Sequence, residues 1–231
     1  MTLLQPAVLE AMRKIFEASG DPVWWADKEG GVCCGRPLKM SGELQAARRL
    51  MDYNVELFRK HEITTLVTSC PICLRVFKED YALEGIEVLH HSQYILRRIE
   101  EAKLTVVGTD MQLAYHDPCE LGRGLKIYKE PRKLLAKVAF VQKFKQAKKN
   151  SLCCGGSLAN LQLTAPQEKA IAADAARVYA KKGADMLVTA CPQCKDSFKR
   201  TSPIPVKDLS EVIAERLVAS KQKLPGNIGM S

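Results

Sequence analysis

Nine cysteines in a chain of 231 residues set the chemical question. Five lie in the C-terminal half: Cys119, the vicinal pair Cys153–Cys154 followed by Gly155, and Cys191-x-x-Cys194. Four lie in the N-terminal half: the pair Cys33–Cys34 followed by Gly35, and Cys70-x-x-Cys73. The thiolate is the form that ligates metals and attacks electrophiles. Four or five thiolates drawn from separate stretches could hold a cluster of iron and sulfide, which takes about four such ligands. Other chemistry is open to the same residues. A lone CxxC can be a redox dithiol, two cysteine pairs can close a tetrahedral zinc site, and a vicinal pair can form a disulfide. Adjacent cysteines suit different irons of one cluster better than two corners of one zinc tetrahedron, so the iron–sulfur reading ranks first. His116, three residues before Cys119, is placed either to hydrogen-bond a bound group and relay protons or to brace the fold.

The local sequence favours ligation. In "VTACPQCKDSF" the CxxC sits where a strand gives way to a helix, whose free N–H groups and positive end stabilise thiolate charge. Pro192 fits the first helical turn without losing a hydrogen bond. Gly155 and Gly156 allow a tight turn and close approach of bare N–H groups to a ligand.

The pattern occurs twice because the chain is internally repeated. "LVTSCPICLRVFK" (Leu66–Lys78) and "LVTACPQCKDSFK" (Leu187–Lys199) agree at eight of thirteen positions, at an offset of 121. The cysteine pairs recur at an offset of 120, and "IEVLHHSQYILRR" resembles "IPVKDLSEVIAER" at 118. The reading is a tandem duplication, with modules at 1–104 and 105–231 and a boundary near Ala102–Asp110.

Helical periodicity marks "LLQPAVLEAMRKIFEAS", "GELQAARRLMDYNVELFRKH", "CLRVFKEDY", "SQYILRRIEEA" (Ser92 as N-cap), "EPRKLLAKVA", "PQEKAIAADAARVYAKKG" and "SEVIAERLVAS". Short strands are expected at "DPVWWAD", "TTLVTS", "IEVLHH", "MQLAYHD", "FVQKF", "DMLVTA" and "IPVKDL". This alternation predicts an α/β fold with short parallel sheets and the cysteines at the carboxyl rims of the strands. His90 and His91 have no counterparts in the second copy, where Asp208 and Leu209 stand, and read as surface or loop residues. Trp24 and Trp25 read as core or interface residues.

The bulk composition bounds the class. At 46% hydrophobic and 26% charged residues the chain can build real cores without disulfide staples. No apolar run has the length of a membrane span, and the start lacks the layout of a signal peptide. A cytoplasmic location is the default expectation, with any membrane association supplied by a partner subunit. The formal charge is +9. The densest basic run, "KFKQAKKN", carries one aromatic and no nucleic-acid motif around it, so no nucleic-acid partner is expected. Basic charge left over after thiolate ligation would steer an acidic redox partner.

The pattern of Cys119, Cys153–Cys154–Gly155 and Cys191-x-x-Cys194 resembles the cysteine-rich CCG domain. That domain occurs in tandem in catalytic subunits of heterodisulfide reductases. It also occurs in iron–sulfur subunits of anaerobic glycerol-3-phosphate dehydrogenase, glycolate oxidase and lactate-utilisation proteins. "YHDPCELGRGLKIYKEPRKLL" (Tyr115–Leu135), "CCGG" and "VTACPQC" are similar to the heterodisulfide reductase and glycolate oxidase branch. The resemblance implies two Rossmann-like modules related by a pseudo-two-fold, with one or two 4Fe–4S clusters at the cysteine rims. It implies Cys119, Cys153, Cys154, Cys191 and Cys194 as the ligands that carry the chemistry of the second module, around a cluster that is non-cubane in heterodisulfide reductases. It implies Cys33, Cys34, Cys70 and Cys73 as ligands in the first, and Gly155 and His116 as neighbours of the cofactor. The expected function is an iron–sulfur oxidoreductase subunit that reduces a disulfide at the second site. The alternatives are a pure electron relay and a zinc-stabilised scaffold without redox work. The expected partner is a flavoprotein, a ferredoxin-type subunit or a membrane cytochrome. One departure stands out: the first module's counterpart of Cys119 would fall two places ahead of Met1. The expectation is an N-terminally truncated first module, the alternative a module with four cysteines only.

Overall fold

The computed structural model describes residues 5–26, 28, 31–156 and 163–218. The N-terminal half runs α1 (Pro6–Ser19), α2 (Arg36–Met40), α3 (Leu44–Lys60), β1 (Thr65–Thr68), α4 (Pro71–Glu79), β2 (Glu87–His90) and α5 (His91–Glu100). The C-terminal half runs β3 (Gln112–His116), a π-helical turn (Glu120–Gly124), α6 (Lys129–Leu135), β4 (Phe140–Val141), α7 (Ala165–Ala180), β5 (Met186–Thr189), α8 (Pro192–Lys199), β6 (Val206–Asp208) and α9 (Leu209–Ala214).

Two short parallel sheets result, so the chain is mixed α/β as its alternation implies. One has two strands, β1–β2, and the other four, in the order β4–β3–β5–β6. The β1–β2 register, with Leu66 opposite Val88, repeats that of β5–β6, with Leu187 opposite Val206. Successive side chains of a strand point to opposite faces, and the four-stranded sheet separates two cores accordingly. Leu113, Tyr115, Met186 and Val188 join a core that also takes Ile15, Phe58, Leu74 and Ile95 from the N-terminal half. Ala114 and Leu187 face a second core with Ala172, Ala176, Tyr179 and Phe198 from α7 and α8. The two halves therefore share one interior. Across it α1 packs on α9, and α5 packs on α6.

Three local expectations are corrected. The stretch around Trp24 and Trp25 forms no strand among its described residues, Asp27 lying outside them. Its positional counterpart β4 exists by pairing with β3, and among the described residues no third strand stands beside β1 and β2. The N-cap of α5 is His90, whose Nδ1 accepts from the Ser92 N–H while Gln93 completes a capping box. Asp208 caps α9 in the same way with Glu211. His90 and His91 are completely buried rather than surface or loop residues, because they lie where the halves meet. The ring of His90 lies beside the backbone of Ser69 and Ala190, which precede Cys70 and Cys191. His91 Nε2 lies 3.2 Å from Asp208 Oδ1. Trp24 and Trp25 pack against the shared core, as expected. Leu3 and Leu4 of the first expected helix, and Ala219 and Ser220 of the last, lie outside the described residues.

Candidate functional site

The nine thiols gather into two groups with the same internal wiring. In each CxxC the first cysteine is the N-cap of a helix (Cys70 for α4, Cys191 for α8), and proline takes the first turn. The second cysteine, Cys73 or Cys194, stands on that turn. Each vicinal pair lies on the loop that faces this helix end. In the first group the Cys34 thiol faces those of Cys33 and Cys73, and Cys73 also faces Cys70. In the second group the Cys154 thiol faces those of Cys153 and Cys194, and Cys194 also faces Cys191. The structure thus unites Cys33, Cys34, Cys70 and Cys73 in one site and Cys153, Cys154, Cys191 and Cys194 in the other. Cys119 joins the second: it caps the π-helical turn and lies within electrostatic range of Cys154 and Cys191.

These hydrogen bonds sort the thiols. Donation from Cys73 lowers Cys34 to about 6, and donation from Cys153 and Cys194 holds Cys154 well below the usual thiol range. The donors Cys73, Cys153 and Cys194 are raised in turn, and burial raises Cys33 and Cys119. The second cysteine of each CCG turn is therefore a favoured thiolate, and in the first site Cys73 lowers Cys70 as well. In the reduced, metal-free protein, ultraviolet thiolate absorbance should show an ionisation near pH 6 that Cys34→Ser removes. If that step persists in Cys34→Ser, the thiolate has been placed on the wrong residue.

The CCG turn depends on its glycine. Gly155 has φ +78°, and a Cβ there would stand 2.6 Å from the Glu168 carbonyl oxygen. In this conformation its N–H points to Cys153 Sγ at 3.3 Å. Gly35 repeats the positive φ, at +89°, with its N–H beside Cys33.

His116 braces the second site. Its Nε2 donates to the Leu152 carbonyl at 3.0 Å, and its Nδ1 meets Thr189 Oγ1 at 3.1 Å. Burial lowers its pKa, which favours the neutral ring. Both nitrogens are thus spent on the loops that lead into Cys153 and Cys191, and the histidine acts on the thiols through those loops. Neighbouring Asp117 extends the brace. Its carboxylate accepts from Arg132 Nη1 and Nη2, at 2.5 and 2.6 Å, and from the Lys148 N–H at 2.7 Å. Ser151 Oγ donates to the Asp117 carbonyl at 2.8 Å, and Arg123 donates to the Ser151 carbonyl at 2.7 Å. The sequence reading missed Asp117, Arg123, Arg132 and Ser151 as positioning residues. The signal was present for three, since Asp117, Arg123 and Arg132 all lie in the segment that carries Cys119.

Among the described residues, no three His, Cys, Asp or Glu side chains converge as the ligands of a single metal ion would. A cluster spreads its thiolates over several irons, and an all-sulfur donor set with glycine N–H groups beside it fits that case. No helix among the described residues is long and apolar enough to cross a membrane.

Fold and sites together define an α/β protein with two polythiol centres at the carboxyl rims of parallel sheets. Residues 1–78 and 113–199 match the family model described as a cysteine-rich domain, CCG. The chain belongs to that family. It is similar to one subunit of the fumarate reductase (CoM/CoB) of Methanothermobacter marburgensis, with 31% identity over 84% of this chain and 40% of the relative. It is similar to one subunit of the dihydromethanophenazine:CoB–CoM heterodisulfide reductase of Methanosarcina barkeri, with 31% identity over 91% of this chain and 53% of the relative. An uncharacterized iron-sulfur protein of Methanococcus maripaludis is 31% identical over 71% of this chain and 32% of its own length. The chain spans about half or less of each of these relatives.

Proposed function

We propose that this chain is an iron–sulfur electron-transfer subunit of an oxidoreductase complex. The observation that carries the reading is the repeated construction of an all-thiol site: a glycine-dependent vicinal pair set against the N-terminus of a CxxC helix. Cys33, Cys34, Cys70 and Cys73 would hold one cluster, and Cys119, Cys153, Cys154, Cys191 and Cys194 the other. Such a group supplies one-electron steps at a potential set by its charge, burial and hydrogen bonds. The chain's contribution is to hold the thiolates, aim backbone N–H groups from Gly35 and Gly155, and brace the loops through His116 and Asp117.

The finer reading has two Rossmann-like modules, 1–104 and 105–231, related by a pseudo-two-fold. Two packing pairs support it, since α1 against α9 repeats α6 against α5 with the halves exchanged. At the second site the proposed reaction is reduction of a disulfide, in which one substrate disulfide, two electrons and two protons give two thiols. The fifth thiol, Cys119, supports this over a pure relay, because it exceeds the roughly four ligands that a cluster takes. Electrons would come from a flavoprotein, ferredoxin-type or membrane cytochrome subunit, and the net charge of +9 suits an acidic docking face on it.

Anaerobically purified protein should be brown and contain about four irons and four sulfides per cluster. A colourless protein loaded with zinc would support the scaffold reading instead. Addition of a disulfide should alter the paramagnetic spectrum of the reduced protein. A spectrum indifferent to disulfides and thiols would leave only the relay.

A further inference from the structure

The entries to both CxxC helices converge on one side chain. β1 ends at Thr68 and leads through Ser69 into Cys70, and β5 ends at Thr189 and leads through Ala190 into Cys191. His90 stands opposite Thr68 at the end of β2, and Asp208 stands opposite Thr189 at the end of β6. The two are matching positions of the repeat, but the ring of His90 lies beside the backbone of Ser69 and of Ala190. It thus reaches the residue ahead of Cys70 in its own half and the residue ahead of Cys191 in the other. A second contact ties the same strand ends: the rings of His90 and His91 are 4.2 Å apart, and His91 Nε2 lies 3.2 Å from Asp208 Oδ1. All three residues are completely buried.

The chemistry of the ring leaves one nitrogen for this place. Burial, with His91 beside it, lowers the pKa of His90 and keeps the ring neutral. A neutral imidazole has one acceptor and one donor nitrogen. Nδ1 accepts from the Ser92 N–H, so the proton sits on Nε2. Nε2 is buried and, among the described residues, closes no hydrogen bond of its own. A buried donor is costly to leave unused, and the ring's backbone neighbours are Ser69 and Ala190. Capping α5 does not by itself call for an imidazole, since Asp208 makes the same capping box for α9 with a carboxylate.

We infer that His90 is a positioning residue shared by the two thiol sites, its Nε2–H side holding the backbone ahead of Cys70 and the backbone ahead of Cys191 at one fixed separation. Cys70 and Cys191 cap the CxxC helices, so a displacement at His90 moves the starts of both helices together. His116 differs in reach, since its two nitrogens serve Leu152 and Thr189 and hence the second site alone. In the iron–sulfur reading, on which this consequence rests, electrons pass between two centres whose spacing depends on one side chain.

The test compares His90→Asn with His116→Gln in the intact chain, purified anaerobically. Asparagine is a good N-cap residue, so it keeps the start of α5 while giving up the imidazole. Amide hydrogen exchange is read segment by segment. In His90→Asn it should quicken at least about tenfold at both 69–73 and 190–194, with α3 and α7 as in wild type. In His116→Gln it should quicken at 190–194 and stay unchanged at 69–73. A redox titration followed by the paramagnetic spectrum should show both midpoint potentials displaced in His90→Asn and only one in His116→Gln. Quickening confined to one segment, quickening that extends equally to α3 and α7, or two unmoved potentials would each overturn the inference. A protein that takes up no iron would fail the iron–sulfur reading alone, and the exchange pattern would then decide the inference by itself.

Discussion

Gly155→Ala is expected to dismantle the second thiol site while leaving the first intact. The alanine would have to adopt φ near +78°, which costs an L-residue about 1–2 kcal/mol. Its Cβ would also meet the Glu168 carbonyl at 2.6 Å, inside α7, where the obstacle is backbone and cannot swing away. Overpacking of this kind adds about 1–3 kcal/mol, for a total of roughly 2–5 kcal/mol. The turn must open, and opening it withdraws the Gly155 N–H from Cys153 and displaces Cys154 from Cys194. Gly183→Ala is the control, since Gly183 also has a positive φ but nothing within 4 Å of an added Cβ. It should show only the backbone cost and keep both sites. Denaturant unfolding and metal content of the two variants check this. Equal stability of Gly155→Ala and Gly183→Ala, with full metal in both, would refute the turn's role.

The second large effect is expected at Asp208. This completely buried carboxylate accepts from the Ser210 N–H at 2.9 Å and Ser210 Oγ at 2.7 Å, and faces His91 Nε2 at 3.2 Å. Burial alone would raise its pKa, but His91 and the Ser210 hydrogen bonds hold it below the ordinary value. Asp208→Ala removes the cap of α9 and strands His91 in the shared interior. Breaking a buried pair in this way costs about 3–5 kcal/mol. The sign of the pH dependence follows from the lowered pKa. The unfolded carboxylate titrates near about 3.9, so the stabilisation is fully present above that pH and is lost as pH falls through the lower folded value. Urea unfolding of wild type and Asp208→Asn should therefore differ clearly at pH 6, and the difference should shrink progressively as pH falls below about 3.9. A difference that keeps its full size throughout acidification would show that the carboxylate's charge contributes nothing.

The contrast between β4 and the Trp24–Trp25 segment shows how far local sequence carries. Both follow a helix by five residues and both are rich in strand-forming residues, but only β4 has β3 to pair with. Propensity describes what a segment can do, and the neighbouring strand decides whether it does so. The CxxC helices were legible because their signals are local: proline in the first turn, cysteine at the cap, a β-branched run before it. The grouping of cysteines was legible because the repeat presents the same arrangement twice. His90 and His91 were not, since their burial comes from the meeting of two halves 118 residues apart in the repeat. The same holds for His116, whose role became clear only when Leu152 and Thr189 were found on its two nitrogens. Capping showed a subtler limit. Ser92 is a good N-cap residue by type, but the helix starts two residues earlier because His90 accepts the Ser92 N–H and takes the cap itself.

The central proposal is that the two thiol groups are separate metal–sulfur centres. Iron and sulfide analysis of three anaerobically reconstituted proteins tests it most directly: wild type, Cys70→Ser with Cys73→Ser, and Cys191→Ser with Cys194→Ser. Each double variant should retain about half of the wild-type iron and sulfide and a distinct part of its paramagnetic spectrum, the two parts adding up to the whole. A double variant that keeps all the iron, or a wild type that binds zinc and no sulfide, would contradict it.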